Sequence, residues 1–527
     1  MIRLTFELSP KEDKQPIGEH IARRLGAKES EFCFEIKKRS LDARRGRAKF
    51  VYTVDIALNR PENEEKLARR CGGSVSEPEE EYSFPKALKM PNSRPVVAGF
   101  GPAGIFAALM LARSGMRPIV LERGKEGERR KKDVDLFFAG GELNTESNIQ
   151  FGEGGAGAFS DGKLNTLVKD KGFRGRFILK ELVKAGAPAE TVYNAKPHVG
   201  TDLLRGVVEN LRKEIIALGG EIFFETKLTD FKTENGKLVS VFANGKEIKT
   251  DALFLATGQS AREIAELMHA SGATVERKPF SVGFRIEHPQ STIDLAQYGS
   301  TPDNRFLPPA EYKLFRHCST GRTVYSFCMC PGGTVVAAAS EQERLVTNGM
   351  SVHARDGANA NSAILCEILP EDLSEGLFAG FDYREALEKA AFSLGGGDFT
   401  APAMLLGDYL GAKSTSAAVK ATYPRGVRLC DISVLFSKEI NDSFREALAD
   451  FGKKIKGFDD SGALLTAVES RTSSPIRIKR FEDRQSNIKG IYPLGEGAGY
   501  AGGIISAAMD GLRSAEAFVE ACNDQPL

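Results

Sequence analysis

The sequence predicts an α/β protein in which a mixed α+β domain interrupts a parallel sheet and a small α+β domain precedes it. Three observations support this prediction: a strand–turn–helix–strand pattern at 96–122, short apolar runs near 253 and 491 that can join the same sheet, and alternating segments before and between them. We expect domains at 1–90 and 91–275, an inserted domain at 276–463, and a return to the first sheet at 464–527.

The segment 96–122 carries the most specific motif of the chain. A short apolar run, Val96–Ala98, is followed by G-x-G-x-x-G, a helical apolar run, a second strand and the acid Glu122. In a dinucleotide site the first glycine permits the turn, the second admits the pyrophosphate, and the third lets helix and strand pack closely. The helix N-terminus attracts phosphate, and Glu122 can accept hydrogen bonds from ribose hydroxyls. The turn consists of Gly99, Phe100, Gly101, Pro102, Ala103 and Gly104.

Length and composition describe a globular protein of ordinary charge. The chain has 527 residues, 41% hydrophobic and 27% charged, with a net charge of +1, so no global field attracts nucleic acid or an anionic membrane. The uncharged stretch Val96–Ala112 is broken by glycines and too short to span a bilayer, and the N-terminus does not resemble a signal peptide. Eight scattered cysteines lack zinc-like spacing. We therefore expect a cytoplasmic protein with reduced thiols, no membrane span and no metal.

The first 90 residues predict a ferredoxin-like α+β domain. Their strand and helix signals follow the order βαββαβ, with a last strand at Tyr82–Phe84 and a proline-rich linker at 85–95. Between the middle strands lies a basic segment, which is either a solvated hairpin or a surface for RNA or another polyanion. Its charged residues are Lys37, Lys38, Arg39, Arg44, Arg45, Arg47 and Lys49.

A glycine-rich segment, Ser147–Thr166, follows a charged stretch, 123–135, that predicts an exposed helix. The segment contains a second G-x-G-x-x-G, but no strand and helix flank it. It is either a flexible linker or a backbone-lined loop along a flat or anionic ligand. In the second interpretation the backbone, including Gly154, Gly155 and Gly162, lies along the ligand, and the side chains of Ser160, Asp161 and Lys163 add polar contacts.

The rest of the chain predicts further parts of the parallel sheet around the insertion. A helix from Thr201 to about Leu218 precedes a buried strand, 251–258, that ends in Ala-Thr-Gly. Stretches dense in Gly, Asn, Cys and His at 284–290, 325–341 and 348–363 predict a substrate-facing surface. Near the end, a strand precedes a helix that begins near Gly502 and carries the small residues Ala507, Ala508 and Gly511, which allow close packing.

These separated stretches resemble the two-dinucleotide-binding-domain flavoproteins, and more closely a bacterial family described as uncharacterised NAD(FAD)-utilising dehydrogenases. The resemblance covers most of the chain, and the combination of stretches is specific although each alone is not. The matching stretches are VVAGFGPAGIFAALMLARSG, SNIQFGEGGAGAFSDGKL, LFLATGQSAREI, FCMCPGGTVVAAASE, ESRTSSPIRI and YPLGEGAGYAGGIISAAMDG.

The resemblance implies a Rossmann-like FAD-binding domain and a non-covalent FAD cofactor. The glycine turn at 99–104 would hold the pyrophosphate, Glu122 with Arg123 the adenosine ribose, and the loop 152–163 would follow the flavin. The remaining cofactor-binding positions would be Thr257 and Gly258, Gly495 and Glu496, and Gly502, Gly503 and Ile504. Glu496 replaces the usual Asp of the superfamily and is one methylene longer. The helix after Gly502 would favour the anionic reduced flavin.

The resemblance also implies a flavin-dependent oxidoreductase, whose substrate we expect to be a small apolar molecule. NAD(P)H is a candidate external reductant, although no second complete phosphate-binding unit is visible. An RNA-modifying flavoprotein and a flavin-binding regulatory protein remain alternatives. The sequence singles out no catalytic acid or base and no oligomeric state. The weak candidates for acid–base chemistry are His198 and His353, and Lys163 and Arg471 are candidates for contacting the flavin or an anionic substrate.

Cys328 and Cys330 stand in a C-x-C arrangement within an apolar, strand-like run. On a regular strand both thiols project from one face, with Met329 opposite. A disulfide between them would close a very small, strained ring. We therefore expect thiols that pack or line a substrate pocket, and not a redox-active pair.

Overall fold

The computed structural model describes residues 1–44, 48–60, 64–166, 168–300, 302–412 and 416–524. Its N-terminal part is an antiparallel sheet of order β2–β3–β1–β4. The predicted order of elements is confirmed, but the predicted last strand at Tyr82–Phe84 is wrong, since β4 ends at Val75 and residues 76–95 form no helix or strand. The elements are β1 (Ile2–Leu8), α1 (Ile17–Leu25), β2 (Phe32–Asp42), β3 (Lys49–Leu58), α2 (Glu64–Cys71) and β4 (Ser74–Val75).

The next part of the chain begins with the predicted strand–turn–helix–strand unit and ends with the strand that precedes Ala-Thr-Gly. Between β7 and β11 the chain forms a separate three-stranded sheet of order β10–β9–β8. The elements are β5 (Val96–Ala98), α3 (Pro102–Arg113), β6 (Ile119–Leu121), α4 (Gly127–Phe138), α5 (Arg174–Lys184), α6 (Thr201–Ala217), β7 (Glu221–Phe223), β8 (Leu228–Glu234), β9 (Lys237–Ala243), β10 (Lys246–Lys249), β11 (Leu253–Leu255) and α7 (Arg262–Ala270).

The inserted part is built on a seven-stranded sheet of order β14–β15–β18–β13–β21–β19–β20. The elements are β12 (Val275–Arg277), β13 (Phe280–Pro289), α8 (Gln290–Tyr298), β14 (Phe315–His317), β15 (Thr323–Cys330), β16 (Thr334–Ala337), β17 (Thr347–Met350), β18 (Asn359–Ile368), α9 (Ala379–Gly395), β19 (Ala401–Leu405), α10 (Leu406–Tyr409), β20 (Val427–Leu429), α11 (Lys438–Lys454), β21 (Leu464–Glu469) and β22 (Ile476–Ile478).

The predicted boundary between residues 463 and 464 is wrong, because it cuts this sheet. Strand β21 pairs with β13 on one side and with β19 on the other, so residues 464–469 are an interior strand of the insertion. The chain leaves the sheet after Glu469, and β22 then pairs with β12. An apolar strand looks the same in sequence whichever sheet it joins, so the pattern did not locate the boundary.

The last two elements are β23 (Ile491–Pro493) and α12 (Ile504–Asp524), and β23 completes the sheet that contains β5. That sheet is parallel throughout, with order β23–β11–β5–β6–β7. Strand β11 therefore returns beside β5, as predicted, and β23 lies on the other side of β11. Their carboxyl ends meet at one edge, where ligands of open α/β sheets usually bind. Among the helices of the described residues, none combines the length and apolarity that a membrane crossing requires.

Candidate functional site

A cavity of about 770 Å³ lies between the carboxyl ends of the parallel strands and one face of the seven-stranded sheet. Its volume is in the upper part of the usual range for ligand sites, about 300–1,000 Å³. The glycine turn, the loop 150–166 and the start of α12 line one part, and residues 326–329, Asn348 and Glu469 line the other. The cavity therefore joins the predicted dinucleotide site to the inserted domain.

The three glycines of the first motif have different environments. Gly99 has a φ of +99°, and a Cβ on Gly104 would lie 1.9 Å from the Gly99 carbonyl oxygen, so these two glycines serve the turn and the packing of α3. Gly101 is extended, and the atom nearest to a Cβ built there is the Gly155 Cα at 3.7 Å. Gly99 and Gly101 line the cavity and Gly104 does not.

Two helices begin at the cavity wall. Helix α3 starts at Pro102 after Gly101, and α12 starts at Ile504 after Gly502 and Gly503. The first N–H groups of a helix have no partner within it and carry partial positive charge. A Cβ on Gly502 would meet no atom within 4 Å, so the backbone there is open to a ligand. This arrangement suits an anionic group such as a pyrophosphate.

Glu122 is buried at the end of β6 and lines the cavity. One carboxylate oxygen accepts from the Phe100 N–H and the other from the Gly124 N–H, each at 2.8 Å. The side chain thus holds the glycine turn in place. Each oxygen keeps a second lone pair for a ligand hydroxyl.

The glycine-rich loop is held by a buried arginine that sequence reasoning missed. Helix α4 was predicted to be exposed, but Arg130 on it is 1% exposed. Its guanidinium donates to the carbonyl oxygens of Asn148, Ile149, Glu153 and Gly155 at 2.6–2.9 Å. The prediction of an exposed helix is wrong at this position, because four backbone acceptors replace the water that the charge would otherwise need. The segment is therefore a supported loop and not a flexible linker.

The polar residues of this loop contact the inserted domain as well as the cavity. Asp161 forms a buried ion pair with Arg355, and the Lys163 ammonium donates to the Met329 carbonyl and lies 3.5 Å from Glu311. Ser160 and Gly162 also line the cavity. Gly154 does not, since its N–H donates to the Phe100 carbonyl behind the turn.

The two candidate histidines do not line the cavity. His198 and His353 stack with ring centroids 5.1 Å apart. The His198 Nε2–H donates to the His353 carbonyl at 3.0 Å, and the His353 Nδ1–H to the Val199 carbonyl at 3.1 Å. Burial lowers the pKa of His198. Their candidacy as catalytic groups is therefore not supported. They fasten residues 198–199, whose backbone pairs with the glycine-rich loop, to the inserted domain.

Arg471 touches the cavity, but its charge is already balanced. Its guanidinium forms ion pairs with Glu388 at 2.7 Å and with Glu341. It is 8% exposed, so an anionic ligand would have to displace these carboxylates. The prediction of Arg471 as an anion-binding residue does not fit this pairing.

The predicted positions after β11 and β23 lie together on the cavity wall. They are Thr257, Gly258, Gly495 and Glu496. The Gln259 amide donates to Glu496 at 3.2 Å and to the Arg471 carbonyl at 2.8 Å. Burial raises the pKa of Glu496 to about 7, against the opposing charges of Arg384 and Lys278.

The basic segment of the N-terminal sheet is largely ion-paired. Lys37 pairs with Glu35, Arg39 with Asp13, Arg44 with Asp42 and Lys49 with Glu7, at 2.6–2.8 Å. Arg45 and Arg47 lie outside the described residues. Charges already paired within the chain are less able to bind a polyanion, which favours the solvated hairpin over the RNA surface. In the described ranges no cluster of three or more His, Cys, Asp or Glu side chains could hold a metal.

Comparison with family models gives two matches. Residues 279–472 match the model described as FAD-dependent protein, C-terminal domain-like, and residues 1–57 match a domain of unknown function. The first match covers the seven-stranded sheet and the cavity-lining residues 326–329, Asn348 and Glu469.

Three solved structures show a distant likeness to this chain, with identities of 12–13% and TM-scores of 0.35–0.36. A flavin-dependent brominase has 13% identity and a TM-score of 0.35, covering 82% of this chain and 80% of its own. Glycerol-3-phosphate dehydrogenase from Bacillus halodurans, complexed with FAD, has 12% identity and a TM-score of 0.36, and the match covers 84% of this chain and 66% of the dehydrogenase. A geranylgeranyl bacteriochlorophyll reductase-like protein from Thermoplasma acidophilum has 13% identity and a TM-score of 0.36, and the match covers 82% of this chain and 80% of that protein.

A relative from Clostridium beijerinckii matches along almost the whole chain. This uncharacterised protein is 45% identical over 525 residues, 98% of each chain. Together with the FAD-dependent domain, that identity confirms the resemblance found in the sequence. The chain belongs to the same uncharacterised bacterial family of FAD-dependent proteins.

Proposed function

We propose that the protein is an oxidoreductase that binds FAD without a covalent bond in the cavity between its two large sheets. The observation that carries this proposal is that the N-termini of α3 and α12 and the glycine-containing turns after β5, β11 and β23 line one cavity. Open backbone at Gly101, Gly258 and Gly502 provides the close approach that a dinucleotide needs. The residues present therefore fit FAD.

The chain's residues divide the work along the cavity. The N-terminus of α3 would hold the pyrophosphate, Glu122 the ribose hydroxyls, and the loop 155–163 the flavin ring. Bound FAD supplies hydride or electron transfer. The N-terminus of α12 would stabilise negative charge at the end of the cavity that it faces. The inserted sheet closes the opposite side and limits the access of water.

A substitution at Gly101 tests the proposal directly. Because Gly101 is extended and a Cβ there clears the protein by 3.7 Å, Gly101→Ala should fold normally while its methyl group blocks the approach of a phosphate. The purified native protein should be yellow and release FAD on denaturation, and the variant should lose FAD during gel filtration. Gly206→Ala on α6, an exposed glycine with no atom within 4 Å of a built Cβ, is the matched control. A colourless native protein that does not take up added FAD would refute the proposal.

We also propose that NADH and NADPH are poor electron donors. The described residues after α6 form a hairpin sheet, β8–β10, where a second nucleotide-binding unit would need a glycine-rich turn between a parallel strand and a helix. Stopped-flow mixing with NADPH should therefore bleach the flavin slowly, and rapid bleaching at micromolar NADPH would contradict this.

We infer further that the N-terminal sheet is a ferredoxin-like domain. It has its own core, which includes Ile2, Leu4, Ile21, Val54 and Ile56. Its strand order and its βαββαβ succession support that assignment. We assign it a structural role next to the flavin-binding part.

A further inference from the structure

We propose that the part of the cavity lined by the inserted sheet binds a small carbonyl compound with an electrophilic carbon, next to a nucleophilic thiolate at Cys328. This inference deepens the proposed function, because it assigns to the substrate the half of the cavity that the dinucleotide motif does not line. It also replaces the expected apolar substrate with a polar one.

The organising residue of this wall is Arg285 on β13, which is fully buried. All five of its N–H groups donate: two to Glu469, and one each to the Cys328 carbonyl, Asn361 and Asn348, with the last three at 2.9, 3.2 and 2.8 Å. Three of these partners, Cys328, Asn348 and Glu469, line the cavity. A single rigid cation therefore places a thiol, an amide and a carboxylate side by side.

Asn348 has a hydrogen-bond donor that faces the cavity. Its Oδ1 accepts from the Arg285 guanidinium and from the Gly349 N–H, both at 2.8 Å, and this fixes the orientation of the amide. The Nδ2 group has no acceptor within the described residues, and the side chain is partly exposed to the cavity. A ligand carbonyl oxygen would supply that acceptor, since an amide N–H₂ offers two donors.

Cys328 lies where β15 departs from regular pairing. The register shifts between Phe327 and Cys330, and Cys328 has a φ of +45°. The expectation that the two cysteines project from one face of a regular strand is therefore wrong. Cys328 faces the cavity and is partly exposed, whereas Cys330 is fully buried and its thiol donates to the Cys328 carbonyl at 3.2 Å.

The charges around Cys328 favour its thiolate. The neighbouring Cys330 thiol and the charges of Arg285 and Lys163 lower the pKa of Cys328 to about 6, against the opposing effect of burial. The same contact raises the pKa of Cys330. The acids that face Cys328 are Glu469, Asp161 and Glu496; Glu469 is paired with Arg285 and Asp161 with Arg355. A thiolate beside an amide donor suits a soft electrophilic carbon attached to a carbonyl group.

Iodoacetamide, which carries an electrophilic carbon attached to a carbonyl group, is the probe for the first experiment. Alkylation forms a Cys328 S–C bond, breaks the C–I bond and releases iodide. The flavin-loaded protein would be labelled from pH 6.5 to 8 and mapped by mass spectrometry, with exposed Cys33 as the accessibility reference. Between pH 8 and 6.5 the Cys328 rate should fall less than about twofold, whereas free glutathione, a thiol with a pKa near 8.5, should lose about 20-fold.

Variants separate reactivity from structure in that experiment. Cys328→Ser should remove the fast site, and Cys330→Ala should move the Cys328 profile to higher pH, because alanine has no donor at that position. A Cys328 rate that falls in parallel with glutathione, or labelling of Cys33 before Cys328 at pH 6.5, would overturn the assignment of a thiolate.

The second experiment tests the carbonyl contact. Asn348→Asp keeps an acceptor for Arg285 and removes the Nδ2 donor. Its added charge affects every thiol reagent, so the iodoacetamide rate is divided by the rate with methyl iodide, which loses the same iodide but has no hydrogen-bond acceptor. That ratio should fall about two- to tenfold, the effect of one hydrogen bond. An unchanged ratio would overturn the carbonyl site.

The flavin content of every sample is read from its visible absorbance. A colourless protein with a fast Cys328 would refute the proposed function and leave this inference standing. A yellow protein with an unreactive Cys328 would overturn this inference and leave the proposed function standing.

Discussion

Gly511 of α12 lies against Ala103 at the start of α3, so closely that a Cβ built on Gly511 would come within 2.0 Å of the Ala103 carbonyl oxygen. These are the two helices whose N-termini line the cavity. Close contact of their backbones fixes the separation of the two N-termini. The small residues near the end of the chain therefore have a role in the geometry of the site as well as in packing.

Gly511→Ala should destabilise the protein by about 1–3 kcal/mol, because the added methyl group forces the two backbones apart. It should also weaken the retention of FAD. Thermal unfolding and visible absorbance measure the two effects. Gly206→Ala is the control, since the same change at an open helical position should stabilise by about 0.4–1 kcal/mol. Equal stability of the two variants would show that α12 adjusts without strain.

Arg130→Met should destabilise the protein by about 3–5 kcal/mol and reduce FAD binding, because four buried carbonyl groups of the glycine-rich loop lose their donor. The neighbouring Arg129→Met removes an exposed arginine paired with Glu225, and should cost less than about 1 kcal/mol. Chemical denaturation of both variants gives the comparison. A similar loss in both would mean that the loop holds its shape without Arg130.

The sequence predicted the dinucleotide unit well because its signals are local. The turn at Gly99–Gly104 and the strand ending at Glu122 depend on residues close in the chain, and the structure has them as expected. Arg130 and Arg285 were missed, since a buried arginine has the same local pattern as an exposed one. The place of β21 depends on pairing with β13, about 180 residues earlier, and local periodicity carries no information about such a partner.

Glu496→Gln should change the pH dependence of stability in the FAD-free protein. Burial raises the pKa of Glu496 to about 7, whereas the unfolded chain releases that proton near pH 4.5. Between these values the folded state binds more protons, so the free energy of unfolding decreases as the pH rises.

We expect Glu496 to contribute about 1–2 kcal/mol to that decrease, since its side chain lines the cavity and is partly screened. The charged groups that face it, Arg384, Lys278 and Cys328, remain in the glutamine variant. Urea unfolding at pH 5 and pH 8 measures the difference between the two proteins. Identical slopes would show that Glu496 titrates as an exposed carboxyl group does.

A chain that begins at Glu77 should retain FAD, whereas one that begins at Asn92 should be less stable by about 2–4 kcal/mol. Residues 76–90 follow the N-terminal sheet but pack on the parallel-sheet core, where Tyr82 and Phe84 are partly buried. The Tyr82 hydroxyl donates to Glu516 at 2.5 Å. Melting temperature and flavin absorbance compare the two chains. Equal stability would support the boundary near residue 90 that the sequence predicts.

Cys328 and Cys330 should not exchange electrons with the flavin. The Cys330 thiol is directed to the Cys328 carbonyl, and Cys328 faces the cavity as the better nucleophile of the two. A substrate-pocket thiolate requires both thiols to stay reduced, because a bond between them would consume the nucleophile. Reductive titration of the native protein should therefore take up two electrons per FAD, the same as the double variant Cys328→Ser, Cys330→Ser. An uptake of four electrons in the native protein that falls to two in the variant would demonstrate a working dithiol, and the thiolate at Cys328 would then belong to an electron-transfer pair instead of a substrate pocket.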